Sequence, residues 1–358
     1  MEKKKLHTEI QGYFEDVLRV AKKNLPWDKI AGSSIMVSGA TGMIGTFLID
    51  VIMYKNKNKD DFSCDIYALG RSEEKAKERF SGYWDDPRFH FVRCDINKSP
   101  DIGIDRIGYV FHAASNTHPV AYATDPIGTV TTNIIGTDNL LGFAAEHGCR
   151  RFVFASSNEI YGENRGDTEF FDEAYCGYID SNTLRAGYPE SKRCGEALCQ
   201  AYLKQKGLDV VIARFTRSYG PTVKLSDTKA ITQFIKKAVS GEDIILKSEG
   251  NQYYSYTYVS DAVYGLLTVL LNGECGEAYN IADERSDITL RNLAELIGGY
   301  VGRKVIVEIP DEVEKAGFSK ATKARLDGSK LKKLGWEADY DIEIGIKRTI
   351  DMLKELMA

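Results

Sequence analysis

The chain has 358 residues, of which 43% are hydrophobic and 28% are charged, so it is long enough for one large domain or two coupled domains. This composition excludes a disordered, fibrous or collagen-like chain. Because 47 Lys and Arg residues stand against 52 Asp and Glu residues, the net charge of -5 gives no overall electrostatic basis for binding nucleic acid or an anionic membrane.

The apolar runs are short. Runs such as Phe47–Ile49 and Val210–Ala213 fall far below the roughly 20 residues of a membrane-spanning helix, and no apolar stretch typical of a signal peptide follows the charged start at Met1–Leu6. The 7 cysteines show no CxxC spacing and the 5 histidines no HExxH pattern, which favours reduced thiols and argues against a metal site. We therefore expect a soluble, cytoplasmic protein.

The first predicted element is an amphipathic helix over residues 8–24. Apolar side chains recur there at helical spacing, at Ile10, Phe14, Val17, Leu18 and Ala21. We expect this helix either to cover a sheet or to take part in contacts between subunits.

From Ser34 onward, short apolar runs alternate with helical stretches. Strands are predicted at Ile35–Val37, Ile66–Leu69, Phe89–Arg93, Tyr109–His112, Phe152–Ala155 and Val210–Ala213. Helices are predicted among them at Met43–Tyr54, Glu73–Phe80 and Val130–His147. This alternation predicts an α/β fold, with a doubly wound parallel sheet covered by helices on both faces.

After Pro221 the alternation weakens, and a second, smaller lobe is predicted. Its expected helices are Lys229–Ser240 and Thr289–Val301, and its expected strands are Ile244–Lys247 and Lys304–Ile309. The segment Tyr256–Asn272 is expected to return to the large lobe, with Tyr258–Asp261 capping an apolar helix. We therefore predict three parts: an N-terminal helical extension over 1–33, a large lobe over 34–217 plus about 256–275, and a smaller lobe over about 218–255 and 276–358.

A glycine-rich turn follows the first predicted strand and opens a helix, with GxxGxxG spacing. Glycine lets the backbone approach a pyrophosphate closely, and a helix N-terminus offers free N–H groups to it. An ordinary tight βα turn can show the same spacing, but the position between strand and helix favours dinucleotide binding. The residues predicted to bind the dinucleotide here are Gly39, Thr41, Gly42, Met43, Ile44 and Gly45.

The end of the second predicted strand bears on the choice between NAD and NADP. The run Ala68–Ser72 lacks an acidic residue for a ribose 2′-hydroxyl, whereas Arg71 and Ser72 could hold a 2′-phosphate, which favours NADP. Further along, Asp95 and Ile96 are expected to flank the adenine. Small side chains against which a cofactor could lie follow the fourth strand at Ala113, Ala114 and Ser115.

A YxxxK motif is the candidate for acid–base chemistry. It occurs three times, at Tyr188–Lys192, Tyr202–Lys206 and Tyr300–Lys304, but only Tyr188 opens a helix after the strand that ends at Ser157. One helical turn puts Lys192 on the face of Tyr188, where its ammonium is expected to lower the pKa of the phenol. Such a tyrosine could remove a proton from an alcohol while hydride passes to a nicotinamide.

Together these residues resemble the extended short-chain dehydrogenase/reductase family, in its branch of nucleotide-sugar epimerases, dehydratases and decarboxylases. The resemblance covers the chain from about Ile35 to Leu353. It rests on Gly39–Gly45, Asp95–Ile96, His112–Ser115, Asn133 with Gly136–Thr137, Ser156–Gly162, Tyr188–Lys192, Arg214 with Tyr219–Pro221, Tyr258–Asp261, Tyr279–Asn280 and Leu334–Trp336.

The resemblance implies a Rossmann-type NAD(P)-binding lobe and a smaller lobe that binds a nucleotide-diphosphate sugar. It implies NAD or NADP, tightly bound and recycled within each turnover, with Asn133 among the residues that bind it. It also implies a homodimer, a role in polysaccharide biosynthesis, and no partner among nucleic acids or membranes.

Within this family, the stretch Gly177–Arg193, which contains Arg185, is most similar to the UDP-glucuronate decarboxylases. That similarity places Ser157 at the sugar 4-hydroxyl and Glu159 near C5. The 4,6-dehydratases carry an aspartic acid between these two positions as proton donor, and here the residue is Asn158. Because an amide cannot act as a general acid, decarboxylation is favoured over dehydration.

Three alternatives remain open at this stage: a 4,6-dehydratase, a 4-epimerase, and a non-catalytic dinucleotide-binding regulator. Two departures from the family pattern concern the substrate. Arg217 stands where relatives usually have asparagine, and Tyr254 where they usually place an arginine on the nucleotide diphosphate. Either Arg217 grips the diphosphate or the nucleotide differs. The substrate-binding residues expected are Asn158, Arg185, Arg217, Tyr219 and Tyr254.

Overall fold

A seven-stranded parallel sheet forms the centre of the protein. The computed structural model describes residues 6–58, 61–98, 100, 102–115, 117, 119–308 and 322–358. In sheet order the strands are Ala278–Ile281 (β10), Val210–Phe215 (β6), Arg151–Ser157 (β5), Tyr109–His112 (β4), Ser33–Ser38 (β1), Cys64–Gly70 (β2) and Phe89–Arg93 (β3). Every neighbouring pair runs parallel, which confirms the predicted sheet.

Helices cover both faces of this sheet. In chain order they include Gln11–Ala21 (α1), Met43–Asn58 (α2), Glu73–Arg79 (α3), Pro119–Thr124 (α4), Pro126–Glu146 (α5), Gly187–Lys206 (α6), Ala230–Val239 (α7), Val259–Asn272 (α8), Leu290–Val301 (α9), Ser329–Lys332 (α10) and Ile342–Met357 (α11). Along β1, Ile35 and Val37 pack into the core that contains α1, α2 and α8, whereas Met36 packs into the core beneath α5 and α6. This alternation confirms the doubly wound α/β fold.

The long helix α5 begins earlier than its predicted start at Val130. Asp125 precedes Pro126, and its side chain accepts a hydrogen bond from the backbone N–H of Gly128 at 3.0 Å. An acidic N-cap followed by proline is a helix start signal, because proline at the first position lacks a donor that would be unsatisfied anyway. The prediction rests on apolar periodicity, which does not mark that first turn.

The predicted capping role of Tyr258–Asp261 is wrong in detail. Tyr258 occupies the N-cap of α8 without any side-chain cap. Asp261 lies inside the first helical turn, where it is buried and accepts backbone hydrogen bonds from Asp339 at 2.9 Å and Tyr340 at 3.0 Å. Its carboxylate therefore fixes the segment before α11 rather than its own helix, and burial raises its pKa to about 7.

A second sheet lies outside the central one. It joins Asp287–Thr289 (β11), Tyr253–Tyr258 (β9) and Lys323–Ala324 (β13), with Arg217–Tyr219 (β7) also paired to β9. A separate pair joins Ile244–Leu246 (β8) to Val305–Val307 (β12), shorter than the predicted strand 304–309, whose last residue lies outside the described residues. Strand β10, which the expected boundary at 276 gives to the smaller lobe, pairs instead with β6 in the central sheet because its register continues that sheet.

The N-terminal helix α1 is built into the core. It packs against α2 and α8, so it forms an outer layer on helices of the large lobe rather than lying directly on the sheet. Its buried Asp16 accepts hydrogen bonds from the hydroxyls of Tyr258 and Tyr340, both at 2.7 Å, and from Arg348 at 2.8 Å. These contacts tie the start of the chain to its last helix, α11.

None of the helices in the described part of the chain is both long enough and apolar enough to cross a membrane. All seven cysteines are free thiols, with Cys64 and Cys199 buried.

Candidate active site

The glycine-rich turn lies where β1 ends and α2 begins. Gly39 has φ +72°, and a Cβ there would come within 2.9 Å of the backbone of Ala113 and Ala114. A Cβ on Gly45 would come within 2.6 Å of the carbonyl oxygen of Gly39. Only glycine permits this turn, which therefore packs directly on the loop that follows β4. The structure thus brings the two predicted cofactor segments, 39–45 and 113–115, to the same edge of the sheet.

The surroundings of this turn fit a bound dinucleotide. The amide of Asn133 on α5 donates to the hydroxyl of Ser191 at 2.8 Å, while its Oδ1 is buried and has no hydrogen-bond partner in the part of the chain that the structure describes. Ile96 packs on Gly136 of α5, where a Cβ would come within 2.6 Å of the isoleucine. The glycine turn at a helix start offers N–H groups to a pyrophosphate, and the buried amide oxygen of Asn133 is free to accept a hydrogen bond from a bound dinucleotide.

Three cations gather near the end of β2. Arg71 is exposed there, and Ser72 caps α3 by accepting from the backbone N–H of Lys75 at 3.3 Å. Burial and the charges of Lys75 and Arg71 lower the pKa of Lys224, which lies in the loop after β7. That loop is tied to the glycine turn by the hydroxyl of Thr222, which donates to the carbonyl of Met43 at 3.3 Å. No local sequence signal connects Lys224 with this place.

Tyr188 begins α6 beside the end of β5. Its side chain is buried, and its ring stacks on that of Tyr122 with 4.9 Å between centroids. Burial and the charge of Glu159 raise the pKa of Tyr188, whereas a hydrogen bond with Ser157 and the charge of Arg185 lower it. The effects that raise the pKa of Tyr188 outweigh those that lower it. The lowering of this pKa that the sequence predicts is therefore not found.

Lys192 does not contact the phenol as the helical spacing suggested. Its ammonium donates to the carbonyl of Ala155 at 2.8 Å and lies 4.9 Å from the ring centroid of Phe154. The spacing sets the face of the helix, but the buried backbone carbonyl of Ala155, two residues before the end of β5, takes the hydrogen bond. Burial lowers the pKa of Lys192 to about 8.

The buried ammonium of Lys192 is expected to destabilise the fold. Its pKa in the folded state, about 8, lies below its ordinary value of 10.5. The free-energy cost of burying the ammonium is therefore largest below pH 8, where the group is charged in both the folded and the unfolded state. Lys192→Met should therefore raise the free energy of unfolding by about 3 kcal/mol at pH 7, with the gain disappearing above pH 10.5. Urea denaturation at pH 7 and at pH 10.5 measures this difference. A variant less stable than the wild type at pH 7 would contradict the expectation.

The other two YxxxK motifs lie away from this site. Tyr202 is at the far end of α6 and donates to Asp138 at 2.8 Å. Tyr300 is near the end of α9 and donates to Asp351. Of the three tyrosines, only Tyr188 lies beside Ser157.

Glu159 and Arg185 form an ion pair next to Tyr188. Glu159 lies in the short helix Asn158–Tyr161 after β5, and one nitrogen of Arg185 donates to both of its carboxylate oxygens, at 2.5 and 2.7 Å. The guanidinium of Arg185 lies 4.8 Å from the ring centroid of Tyr122. Tyr122 therefore links the ion pair to Tyr188 by two stacked contacts, a role that no motif in the sequence indicated.

A cavity of about 190 Å³ opens beside this ion pair. Its walls include Asn158, Glu159, Glu163, Arg185 and Arg217. Tyr254 lies behind Arg217, with the guanidinium carbon 3.5 Å from the tyrosine ring centroid. A larger cavity, of about 530 Å³, lies at Glu196 and Arg214, and its lining includes none of the predicted catalytic residues.

Two of the predicted substrate-binding residues, Tyr219 and Tyr254, do not line this cavity: Tyr254 lies behind Arg217, and Tyr219 lies in the core. Tyr219 is fully buried, and its hydroxyl has no hydrogen-bond partner among the described residues. A Cβ on Gly345 of α11 would come within 2.2 Å of that hydroxyl oxygen. Arg217, two residues earlier on the short strand β7, lines the cavity, whereas the ring of Tyr219 packs near that of Tyr258 in the core.

Comparison with known proteins agrees with this geometry. Residues 35–282 match the model of the NAD dependent epimerase/dehydratase family. The chain is 32% identical over 318 residues to UDP-glucuronic acid decarboxylase 3 of Arabidopsis thaliana, covering 87% of this chain and 86% of the relative. It is 31% identical to UDP-glucuronic acid decarboxylase 1 of Danio rerio, covering 88% and 71%.

Solved structures share the fold. A UDP-glucose 4-epimerase from Thermotoga maritima, solved with UDP-glucose, is 22% identical with a TM-score of 0.78 and covers 91% of this chain and 100% of its own. A dTDP-glucose 4,6-dehydratase from Streptomyces venezuelae, solved with NAD, is 24% identical with a TM-score of 0.76 and covers 90% and 97%.

Proposed function

The chain belongs to the NAD dependent epimerase/dehydratase family, and from this premise we propose that it is a nucleotide-sugar decarboxylase that acts on UDP-glucuronate. The observation that carries the proposal is the Glu159–Arg185 ion pair, set beside Ser157 and Tyr188 with the amide Asn158 between the serine and the glutamate. Relatives at about 30% identity carry the name of this activity.

Tyr188 and Ser157 perform the first proton transfer in this proposal. The phenolate of Tyr188 accepts the proton of the sugar C4 hydroxyl, and Ser157 holds that hydroxyl by a hydrogen bond. NAD(P)+, when bound, supplies the hydride acceptor and a positive charge. A positive charge near the phenol offsets the burial that raises the pKa of Tyr188.

The residues beside C5 favour loss of carbon dioxide from the resulting 4-keto sugar. Asn158 carries no acidic proton, so it cannot protonate a departing 6-hydroxyl as dehydration requires. Glu159 is the ionisable group expected at C5, and Arg185 holds it in place. Decarboxylation needs no acid at the position of Asn158.

A panel of nucleotide sugars tests the proposal. Purified protein is incubated with UDP-glucuronate, UDP-glucose and dTDP-glucose, and product masses are recorded. Loss of carbon dioxide from UDP-glucuronate is the expected result. Loss of water would instead show a 4,6-dehydratase, and an unchanged mass with altered retention a 4-epimerase. Binding of the dinucleotide without any product would show a regulator.

The cations Arg71, Lys75 and Lys224 are expected to favour NADP+ over NAD+, although the family is named for NAD. Lys224→Met should weaken NADP+ binding by about tenfold and leave NAD+ binding nearly unchanged, because the 2′-phosphate is the only group that differs. Titration calorimetry with each dinucleotide measures both constants. Lys237→Met, at an exposed lysine paired with Glu242, is the control. Equal losses for both dinucleotides would contradict this assignment.

We also propose a homodimer formed through α5 and α6, which lie side by side and expose Ile127 and Ile135. Light scattering on the purified protein tests this assembly.

A cytoplasmic location is proposed from the seven unpaired thiols.

A further inference from the structure

A carboxylate that the proposed reaction does not use lies beside the end of β5. Glu196 follows Lys192 by one turn of α6, and its Oε1 accepts a hydrogen bond from the hydroxyl of Ser156 at 2.5 Å. Ser156 stands directly after Ala155 and directly before Ser157. The carbonyl of Ala155 in turn binds the ammonium of Lys192. The carboxylate therefore holds the residue that joins this acceptor to the serine expected at the sugar 4-hydroxyl.

Arg214 on β6 extends this contact to the segment that follows β5. Its Nε and Nη2 donate to Glu196 at 3.0 and 2.7 Å, and its Nη1 donates to the hydroxyl of Tyr161 at 2.9 Å. Tyr161 is fully buried and ends the short helix Asn158–Tyr161, which carries Glu159. One ion pair thus contacts both segments that present predicted catalytic groups, the end of β5 and this short helix.

The ion pair is nearly buried, with 10% of the Arg214 side chain and 14% of the Glu196 side chain exposed. Removing two charges from water costs free energy that offsets most of their attraction. Such a pair therefore contributes orientation more than net stability. Here the orientation is that of the two segments to which its hydrogen bonds run.

The charge of Glu196 also acts on Lys192. Burial lowers the pKa of this ammonium to about 8, and Glu196 is the larger of two influences that raise it, ahead of Cys199 on the same helix. Burial raises the pKa of Cys199, so its thiol is neutral. On β4, burial and the charge of Lys192 lower the pKa of His112 to about 3, so its ring is neutral as well. Without the carboxylate, the guanidinium of Arg214 would lose its counter-charge, and both changes would disfavour a charged Lys192.

We propose that Glu196 is a positioning residue, which fixes the end of β5 and, through Arg214, the short helix after it. It acts on the sugar only through the groups that these segments carry, Ser157 and Glu159. The inference rests on the proposed function, because these two residues have their roles only in that reaction. Misplacing reacting groups by about 1 Å can lower a rate by about 10²-fold, so the support of both segments matters for turnover.

The pH profile of kcat for Glu196→Gln, with UDP-glucuronate as substrate, tests the inference. Glutamine keeps an acceptor for Ser156 but removes the charge that pairs with Arg214. We expect kcat to fall by about tenfold while KM stays within about twofold of the wild-type value. The alkaline limb of the profile should also move to lower pH by about one unit, because Lys192 loses the carboxylate that favours its charged form.

Two further variants separate position from charge. Ser156→Ala removes only the hydroxyl that Glu196 binds, so it should lower kcat by about threefold without moving the alkaline limb. Glu196→Asp keeps the charge on a shorter side chain and should leave the limb near its wild-type pH. Glu277→Gln is the matched control, because Glu277 lines the same cavity of about 530 Å³ but pairs with Lys330. It should leave both kcat and the profile unchanged.

The outcomes separate this inference from the proposed function. A wild-type kcat and an unmoved alkaline limb in Glu196→Gln would overturn the inference and leave the proposed function standing. A loss of kcat that is equal at every pH, with an equal loss of dinucleotide binding, would show a purely structural role and also overturn it. If the wild type forms no product from UDP-glucuronate but acts on another sugar of the panel, the proposed function fails, and the same profiles with that sugar decide the inference. No product from any sugar would overturn both.

Discussion

Replacing Tyr188 with phenylalanine is expected to lower kcat by about 10³-fold, within the range that loss of a general base produces. The ring of Tyr188 stacks on Tyr122 and is buried, so phenylalanine keeps the packing and removes only the hydroxyl. The hydrogen bond with Ser157 is lost with it. Product formation from UDP-glucuronate under single-turnover conditions measures the effect on chemistry directly.

Two controls accompany this variant. Dinucleotide binding by Tyr188→Phe should stay near the wild-type value, because the glycine turn and the loop at Ala113 are untouched. Tyr300→Phe removes a hydroxyl from another YxxxK motif, at a tyrosine that donates to Asp351 near the end of α9, and should leave kcat unchanged. Turnover by Tyr188→Phe within a few fold of the wild type would show that the phenol is not the base.

Local sequence signals predicted the parts of the site that lie at strand ends. The glycine turn, Ala113 and Ser157 follow three neighbouring strands, β1, β4 and β5. Because the carboxyl ends of parallel strands meet at one edge, each motif could be placed without knowing the others. The α/β fold followed for the same reason, since alternation of strand and helix fixes a parallel sheet.

Contacts between distant segments were not predictable in this way. Tyr122 stacks between Arg185 and Tyr188, and Lys224 approaches Arg71 and Lys75, yet neither pairing leaves a pattern in a short window of sequence. The hydrogen bond from Lys192 to the carbonyl of Ala155 was equally unpredictable. Helical spacing sets the face of α6 on which Lys192 lies, but it does not show which acceptor on a neighbouring strand binds the ammonium.

Replacing Glu159 with glutamine is expected to lower formation of the decarboxylated product by about 10²-fold. An amide has no ionisable proton to exchange at C5, and it leaves Arg185 without the charge that now accepts both hydrogen bonds. Glu163→Gln is the matched control, because it removes the same charge from the same cavity. Product masses from UDP-glucuronate measure both variants.

The result separates decarboxylation from 4-epimerisation, and it also separates chemistry from folding. A 4-epimerase would not need Glu159, so an undiminished yield of a product of unchanged mass would contradict decarboxylation. Loss of the ion pair alone can cost about 1–2 kcal/mol of stability, since it leaves a half-buried guanidinium unpaired. The double variant Glu159→Gln with Arg185→Met removes both charges. It should recover stability without recovering activity, because the carboxylate is still missing, whereas recovery of both would assign Glu159 a purely structural role.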